Sequence, residues 1–411
     1  MILRTTIKTS LSLMIGLLSL ISTGCSRTIL TKPASTESVT ISSASSDNEY
    51  IVKRRGLSYL DGDVAFQDKF GLKIQKEIKS IAVDIVKVDS PENVDKLKAD
   101  PSIEYVEPNY IRKMKIQPSL VTTTTANTSS IQQSGIVKAN SIYTGKSFTT
   151  IAVVSTGVDL SHPDLKGKLV TGFSAFSDTD SAQDVNGVGT HQAGVIVASN
   201  PSAGVYGVAP ACKVMPIKVM SQDGEAKDGD LIQGVAWAID HGANVVTFTV
   251  EGAKPSKAFD DLIKYAYTKK VPLVVGSGDS GSTTPTYPAA SKGVIAVTSI
   301  DQGNTISSFS NTGEFISVCA PGQNIMSTSS TKNAQITPNY AVLSGTSIAA
   351  AYVAGEVALI KTKYPLLDMV GIRKHLELTT DDIGTPGPDN NSGFGKINVV
   401  KALSINPPKA K

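Results

Sequence analysis

Cysteine is scarce. Three residues in 411 are too few for the disulfide framework that staples small secreted domains. Cys212 lies in "APACKVMPIKV" and Cys319 in "ISVCAPG", each beside an apolar strand-like run, so both are expected to be buried free thiols. An excess of one charge is missing too. The 39 basic and 36 acidic residues leave a formal net charge of +3, and no basic block is interleaved with aromatics, which excludes nucleic acid as a partner. The N-terminal apolar run, residues 11–21, is too short to span a bilayer as a mature helix. With Arg4 and Lys8 before it, it reads as an export signal. No internal repeat is visible. What the chain does have is a 40% apolar composition over more than one ordinary domain's length, enough for one large core with appendages.

The signal ends in Ser22-Thr23-Gly24-Cys25. Small residues before a cysteine at this place resemble a bacterial lipoprotein cleavage site, although Ser22 stands where such sites usually carry Leu. Residues 1–25 are therefore expected to be a lipoprotein-type signal peptide, with Cys25 lipidated and the chain anchored to the membrane of a bacterial cell envelope. A plain signal with an incidental Cys25 would leave the protein secreted. Residues 26–48, rich in Ser and Thr, suit a tether. Residues 49–114 read as a compact α+β unit: "EYIVKRR" as strand, "DVAFQDKFG" as helix, "IAVDIVKV" as strand, "PENVDKLKAD" as helix and "IEYVEPNYIRK" as strand. A second Thr/Ser tract marks a linker over residues 115–134. From 135 to 405, strand-like runs such as "TTIAVV", "NVVTFTV" and "VPLVVGSG" alternate with helical ones. That alternation predicts an α/β domain with a mostly parallel sheet flanked by helices. Gly and Ala in the first turns of the helices near 190 and 348 predict that these two are central and buried.

"SGTSIAAAYVAG", residues 344–355, places Ser347 at the mouth of a helix, a setting that favours negative charge and suits a nucleophile. Taken alone, Ser347 reads more simply as a helix cap. The wider context changes that balance. "IAVVSTGVDLSHPDL" (151–165), "NGVGTHQAG" (186–194), "VVGSGDSG" (274–281) followed by "YPAA", and "SGTSIAAAYVAG", in that order, resemble the subtilisin-like serine proteases, most closely the thermitase-like branch. "GVAP", "AVTSID", "SSFSNTG" and "CAPG" support the match. The unit ending in "YVEPNY" resembles that family's N-terminal inhibitory propeptide.

The resemblance implies a subtilisin-like three-layer fold and a site built from an aspartate, a histidine, an oxyanion-hole asparagine and a serine. Serine needs a base to take its proton, the base needs an orienting carboxylate, and the developing oxyanion needs a donor. Carried onto this chain, the aspartate position holds Ser155, the histidine position Val188, the asparagine position Asp279, and the nucleophile position Ser347. Valine accepts no proton, and loss of the histidine from such a site costs about six orders of magnitude in turnover. An ionised Asp279 would repel the oxyanion and would help only if protonated. His191, three residues after Val188, matches a packed structural histidine of the family, and His162 reads as a structural residue. Asp159 and Asp184 are not placed to act as the base of Ser347. Ala351 and Tyr352 stand where the family motif has Pro and His.

The family binds peptide as a strand added between two edge segments. Their counterparts here are Thr249, Val250, Glu251 and Gly252 on one side and the segment around Gly224 on the other. Glu251 in a glycine place is expected to narrow this groove. No cofactor is required. Structural calcium is common in the family, and "SDTDSAQD" (177–184) is an oxygen-rich loop of that kind, though it reads more simply as a solvated acidic loop. The expectation is therefore a pseudoprotease: an exported, lipid-anchored, inactive homologue that binds or scaffolds an unidentified protein or peptide partner, with its own propeptide-like unit, at "YVEPNY", in the groove. The alternative is a serine endopeptidase or hydrolase with residual or rearranged activity at Ser347.

Overall fold

The computed structural model describes residues 45–56, 64–115, 117–118, 130–176, 181–332 and 339–407. The export signal, Cys25 and most of the tether lie outside the described residues. In the N-terminal unit, β1 (Ser45–Arg54), β2 (Leu72–Ile78), β3 (Val83–Val88) and β4 (Ile103–Lys113) pair antiparallel in the order β4-β1-β3-β2. Helices α1 (Val64–Phe70) and α2 (Pro91–Ala99) accompany them. Ser90 caps α2 by accepting from the Asn93 N–H at 3.3 Å, and Pro91 follows at the first helical position, where no donor is missed. β1 takes in residues 45–48 of the expected tether, because Ser45 pairs with Tyr110 and so gains a ladder partner that composition does not reveal.

The period of two along a strand divides this sheet's apolar residues between two cores. Val52, Val86 and Val88 pack with Phe66, Phe70 and Leu97 of the helices. Ile51, Val83 and Ile85 face the other way and join the core of the main domain.

β5 (Gln117–Pro118) and α3 (Ser130–Ile142) lead into that domain. There follow β6 (Thr150–Ser155), β7 (Phe173–Ser174), α4 (Val188–Val197), the hairpin β8 (Ser199–Asn200) and β9 (Val205–Tyr206), β10 (Lys213–Lys218), β11 (Glu225–Lys227) and α5 (Asp228–Asp240). Next come β12 (Val245–Phe248), α6 (Lys257–Thr268), β13 (Leu273–Gly276), β14 (Ile295–Ile300) and β15 (Val318–Pro321). β16 (Ile325–Ser329), β17 (Asn339–Ser344), α7 (Thr346–Lys363), α8 (Met369–Leu378) and α9 (Val399–Ser404) complete the fold.

Among the described residues, seven strands form one parallel sheet in the order β15-β14-β13-β12-β6-β10-β7. Helices cover both faces, which is why its strands read as unbroken apolar runs rather than alternating ones. α4 and α7 pack on each other and on the central strands, and α5 packs on α6. As their small residues predict, α4 is buried throughout and α7 from Thr346 to Ile360. Gly355 is needed there, since a Cβ would lie 2.7 Å from Cβ of Val208. Cys212 and Cys319 are buried free thiols, as expected, and burial raises them to about 11 and about 12. No helix among the described residues is long and apolar enough to cross a membrane.

Two features position the site. Strands β6, β12 and β13 end beside one another, so the segments after them meet at the carboxyl edge, where open α/β sheets place their chemistry. β11 of the main domain also pairs antiparallel with β4, extending the N-terminal sheet into the main domain.

Candidate active site

Ser347 is the second residue of α7 and is buried. Gly345 precedes the helix. Its missing Cβ would lie 3.2 Å from Ser347 Oγ and 3.3 Å from Asp279 Oδ2, so both oxygens flank the same small space. Asp279 follows β13 and is fixed by one oxygen: Oδ1 accepts the Thr346 N–H at 2.8 Å, while Thr346 Oγ1 accepts the Gly278 N–H at 3.1 Å. The other oxygen, Oδ2, is buried with no hydrogen-bond partner. Burial pushes the Asp279 carboxyl up to about 7 against the Thr346 hydrogen bonds, with the Glu251 charge adding to the rise and Lys115 opposing it. Gln192 on α4 donates to the Ser347 carbonyl at 3.1 Å and ties the two central helices together.

Ser155 ends β6 and is buried with its hydroxyl unpartnered, and Val188 opens α4, also buried. His191 is packed inside: Nε2 meets the Ile325 carbonyl at 2.9 Å and burial lowers the ring to about 4, so it is neutral. His162 is engaged at both nitrogens, by the Asn339 carbonyl at 2.8 Å and the Asp164 N–H at 3.2 Å. Asp159 accepts from Ser161 and Thr331. Asp184 accepts from the hydroxyls of Thr156 and Thr190 and the N–H groups of Asn186, Gly187 and Thr190. These last two carboxylates organise the loop and the start of α4.

The groove is occupied. Lys113 exchanges both backbone hydrogen bonds with Glu251, at 3.3 and 2.9 Å, and the Met114 N–H donates to the Gly224 carbonyl at 2.8 Å. Gly224, at φ +75°, must be glycine, since a Cβ would come 2.9 Å from the Met114 carbonyl. A strand thus lies between the two expected edge segments, and the expected narrowing by Glu251 is corrected. Its side chain turns into the protein, accepting from Asn311 Nδ2 at 3.0 Å and from the Ser280 hydroxyl, and leaves the backbone edge open. The occupying residues are also corrected. "YVEPNY" lies in the ladder with β1, and the chain enters the groove only beyond it, at Ile111–Lys115. Thr249 and Val250 do not face the strand: Thr249 Oγ1 accepts the Gly276 N–H at 3.2 Å, and Val250 is buried. Gly252 pairs with Tyr287 and makes room for Arg112, whose Nη1 would be 2.3 Å from a Cβ there.

Several residues at this site escape the sequence reading. Arg112 makes a bidentate, buried pair with Asp228, both contacts at 2.7 Å. Lys115, read as the first residue of the linker, reaches Glu251 at 3.3 Å and Ser280 at 2.7 Å. Asn311 was within reach, since it sits in the matched "SSFSNTG". Among the described residues, no group of three or more His, Cys, Asp or Glu is placed to hold a metal. Residues 177–180 of the acidic loop lie outside the described set, and Asp184, its last carboxylate, is already engaged by five donors.

Comparison with known proteins matches residues 146–395 to the subtilase family, Peptidase S8. The chain belongs to the subtilase family. Residues 62–109 match the fervidolysin N-terminal prodomain, in agreement with the propeptide-like reading of that unit. The thermophilic serine proteinase of Bacillus sp. (strain AK1) is 32% identical over 366 residues, covering 84% of this subtilase and 88% of that protein. Thermitase of Thermoactinomyces vulgaris is 36% identical over 254 residues, 62% and 88% of the two chains. The crystal structure of fervidolysin from Fervidobacterium pennivorans, described as a keratinolytic enzyme related to subtilisin, superposes with a TM-score of 0.75 at 28% identity. That match covers 89% of this subtilase, which spans 62% of the fervidolysin chain.

The expectation that the chain is not an enzyme is corrected by these matches: a relative over most of its length is named a serine proteinase and the matched family is a peptidase family, which points to a protease. The sequence offers His191, Asp159 and Asp184 as substitutes for the missing imidazole and places Asp279 only at the oxyanion position. Basicity follows pKa rather than residue type, and a carboxyl at about 7 is as basic as an ordinary histidine.

Proposed function

We propose that this subtilase is an exported serine peptidase with a rearranged site, in which Ser347 is the nucleophile and Asp279 is the base. The observation that carries the reading is that the buried, unpartnered Asp279 Oδ2 and Ser347 Oγ lie 3.3 and 3.2 Å from the one Cβ position that Gly345 leaves empty, with the Asp279 carboxyl raised to about 7. Ionised Asp279 takes the Ser347 proton as Oγ bonds to the peptide carbon. The negative charge passes from the carboxylate to the former carbonyl oxygen, and Asp279, now neutral, no longer repels it. The acquired proton can be donated to that oxygen in a hydrogen bond and then passed to the leaving amine. Water repeats the sequence to release the acyl group. Val188 and Ser155, at the positions that hold histidine and aspartate in the family, take no part. The secreted, extracellular character of named relatives such as the minor extracellular protease of Bacillus subtilis supports export, and Cys25 is the proposed lipid anchor, detectable as a mass increment lost in Cys25→Ala.

The test is labelling by a fluorophosphonate probe together with peptide hydrolysis. Both are measured on the full chain and on Lys113→Pro, which removes one ladder hydrogen bond of the groove segment. Labelling at Ser347, absent in Ser347→Ala, is expected. Hydrolysis should rise as pH passes through about 7, since the base acts when deprotonated. Asp279→Asn should lower the rate by about 100-fold or more, at the lower end of what general acid–base assistance contributes. Absence of Ser347-dependent labelling and hydrolysis in both chains refutes the proposal. A rate that falls through pH 7 refutes the role of Asp279.

A further inference from the structure

Glu251 presents a charge that the backbone pairing of the groove does not require. It is only 4% exposed, and a buried carboxylate is costly unless paired. Its surroundings are built to orient it. Asn311 Oδ1 already accepts the N–H groups of Ser280 and Ser282, at 3.0 and 2.9 Å, which orients the Asn311 amide so that its NH2 donates to Glu251. Ser280 donates its hydroxyl to the same carboxylate. Gly278, at φ +105°, clears the space, for a Cβ there would lie 2.6 Å from Glu251 Oε2. The cation in contact with Glu251 is Lys115, carried by the groove segment itself at 3.3 Å, with its ammonium also donating to Ser280.

Lys115 also stands at a telling place along the groove. Lys113 pairs with Glu251, Met114 with Gly224, and Gln117 with Ser344, three residues before Ser347. The segment therefore runs from the Glu251 edge to the strand that leads into the nucleophile helix, with Lys115 between the two.

We propose that Glu251, Ser280 and Asn311 form a cation-selecting pocket, so that Lys115 is bound as a built-in substrate mimic and the groove prefers peptides presenting lysine or arginine at its position. A neutral side chain there leaves the buried carboxylate without its cation, and an acidic one repels it. The hydrolytic part of this inference rests on the proposed peptidase function; the binding part does not.

The experiment has two arms. The first uses the Ser347→Ala full chain, in which hydrolysis is absent, and follows amide exchange at Met114 and Glu251 by mass spectrometry. With Lys115→Arg, protection should stay within about threefold of the parent. With Lys115→Leu or Lys115→Glu, exchange should be at least about tenfold faster, as loss of a charged partner at a partly buried site predicts. Glu251→Lys should restore protection to Lys115→Glu. Lys115 is half-exposed, so its variants should fold. Equal protection in Lys115→Leu and the parent overturns the pocket. The second arm digests a peptide library with the Lys113→Pro chain carrying Ser347. Cuts with lysine or arginine enriched at one fixed position before the scissile bond support the inference, and cuts with no such enrichment overturn it. No cutting at all counts against the peptidase function, and the exchange arm then decides the pocket alone.

Discussion

Glu356 is a carboxyl that the fold buries without a hydrogen-bond partner. It lies in the middle of α7, fully buried, with both carboxyl oxygens unpartnered, and burial pushes it up to about 8 with Asp381 adding to the rise. The native chain therefore holds a proton that the unfolded chain, near 4.5, gives up in the intervening range. Stability is then greatest below about 4.5 and is lost as pH rises towards 8. Glu356→Gln removes this dependence. Its gain over the wild type should be near zero at pH 4.5 and grow to about 2–4 kcal/mol by pH 8, read from urea midpoints at the two pH values. A gap that does not change with pH would mean that Glu356 has a partner in solution. Nothing in the local sequence marks this residue: "VAGEVALIK" reads as an ordinary helical stretch. Its burial follows from α7 being covered on all sides, which is a property of the assembled layers.

At the scale of elements, the N-terminus of α6 is capped from another part of the chain. Ser256 accepts the Phe259 N–H, and Glu107 of β4 accepts from Ser256 Oγ at 2.6 Å and from the N–H groups of Lys257 and Ala258 at 2.9 and 3.1 Å. A carboxylate at this end is favoured by the helix dipole as well as by the hydrogen bonds. Asn109 does the same for α5, accepting the Gly229 N–H at 2.8 Å. Glu107→Gln, which keeps the shape and loses the charge, should cost about 1 kcal/mol and speed amide exchange at Lys257 and Ala258. Unchanged exchange at those two amides would show the cap to be dispensable. These contacts explain what could be read in advance and what could not. Ser90-Pro91 announces α2, and the runs at β6, β12 and β13 announce a buried parallel sheet, because each signal is local. The docking of β4 on β11 joins Lys113 to Glu225 across more than a hundred residues. The turn of Glu251 into the protein depends on Asn311, 60 positions away. Local patterning cannot encode either, and a glutamate in a glycine place therefore reads as an obstruction of the groove. The family motifs located Ser347 and Asp279, but the basicity of Asp279 comes from its burial, which motif matching does not report.

For the whole molecule, the N-terminal unit and the main domain are joined by more than docking. They share the sheet β11-β4-β1-β3-β2 and one continuous core, in which Ile51, Val83 and Ile85 pack with residues of the main domain. The ion pairs Lys53–Asp261, Lys76–Asp230 and Lys227–Glu49 lie around this junction, partly exposed, and Arg112–Asp228 lies buried at its centre. The outer pairs are individually weak. The central pair is different, because removing one member leaves the other charge buried and uncompensated, at about 3–5 kcal/mol. The private core of the N-terminal unit is small, built on Val52, Val86, Val88 and a few helix residues, so that unit depends on the junction for much of its stability. The wild type should therefore unfold in a single calorimetric transition, and Arg112→Ala should split it, with the N-terminal unit melting first. Exchange at β1 and β3 amides would then become fast at a temperature where β6 and β12 remain protected. Raising salt to about 1 M, where the screening length falls to about 3 Å, should shift the wild-type transition only slightly, since the decisive pair is out of reach of solvent ions. A single unshifted transition in Arg112→Ala would place the coupling in the shared apolar core instead of the buried pair.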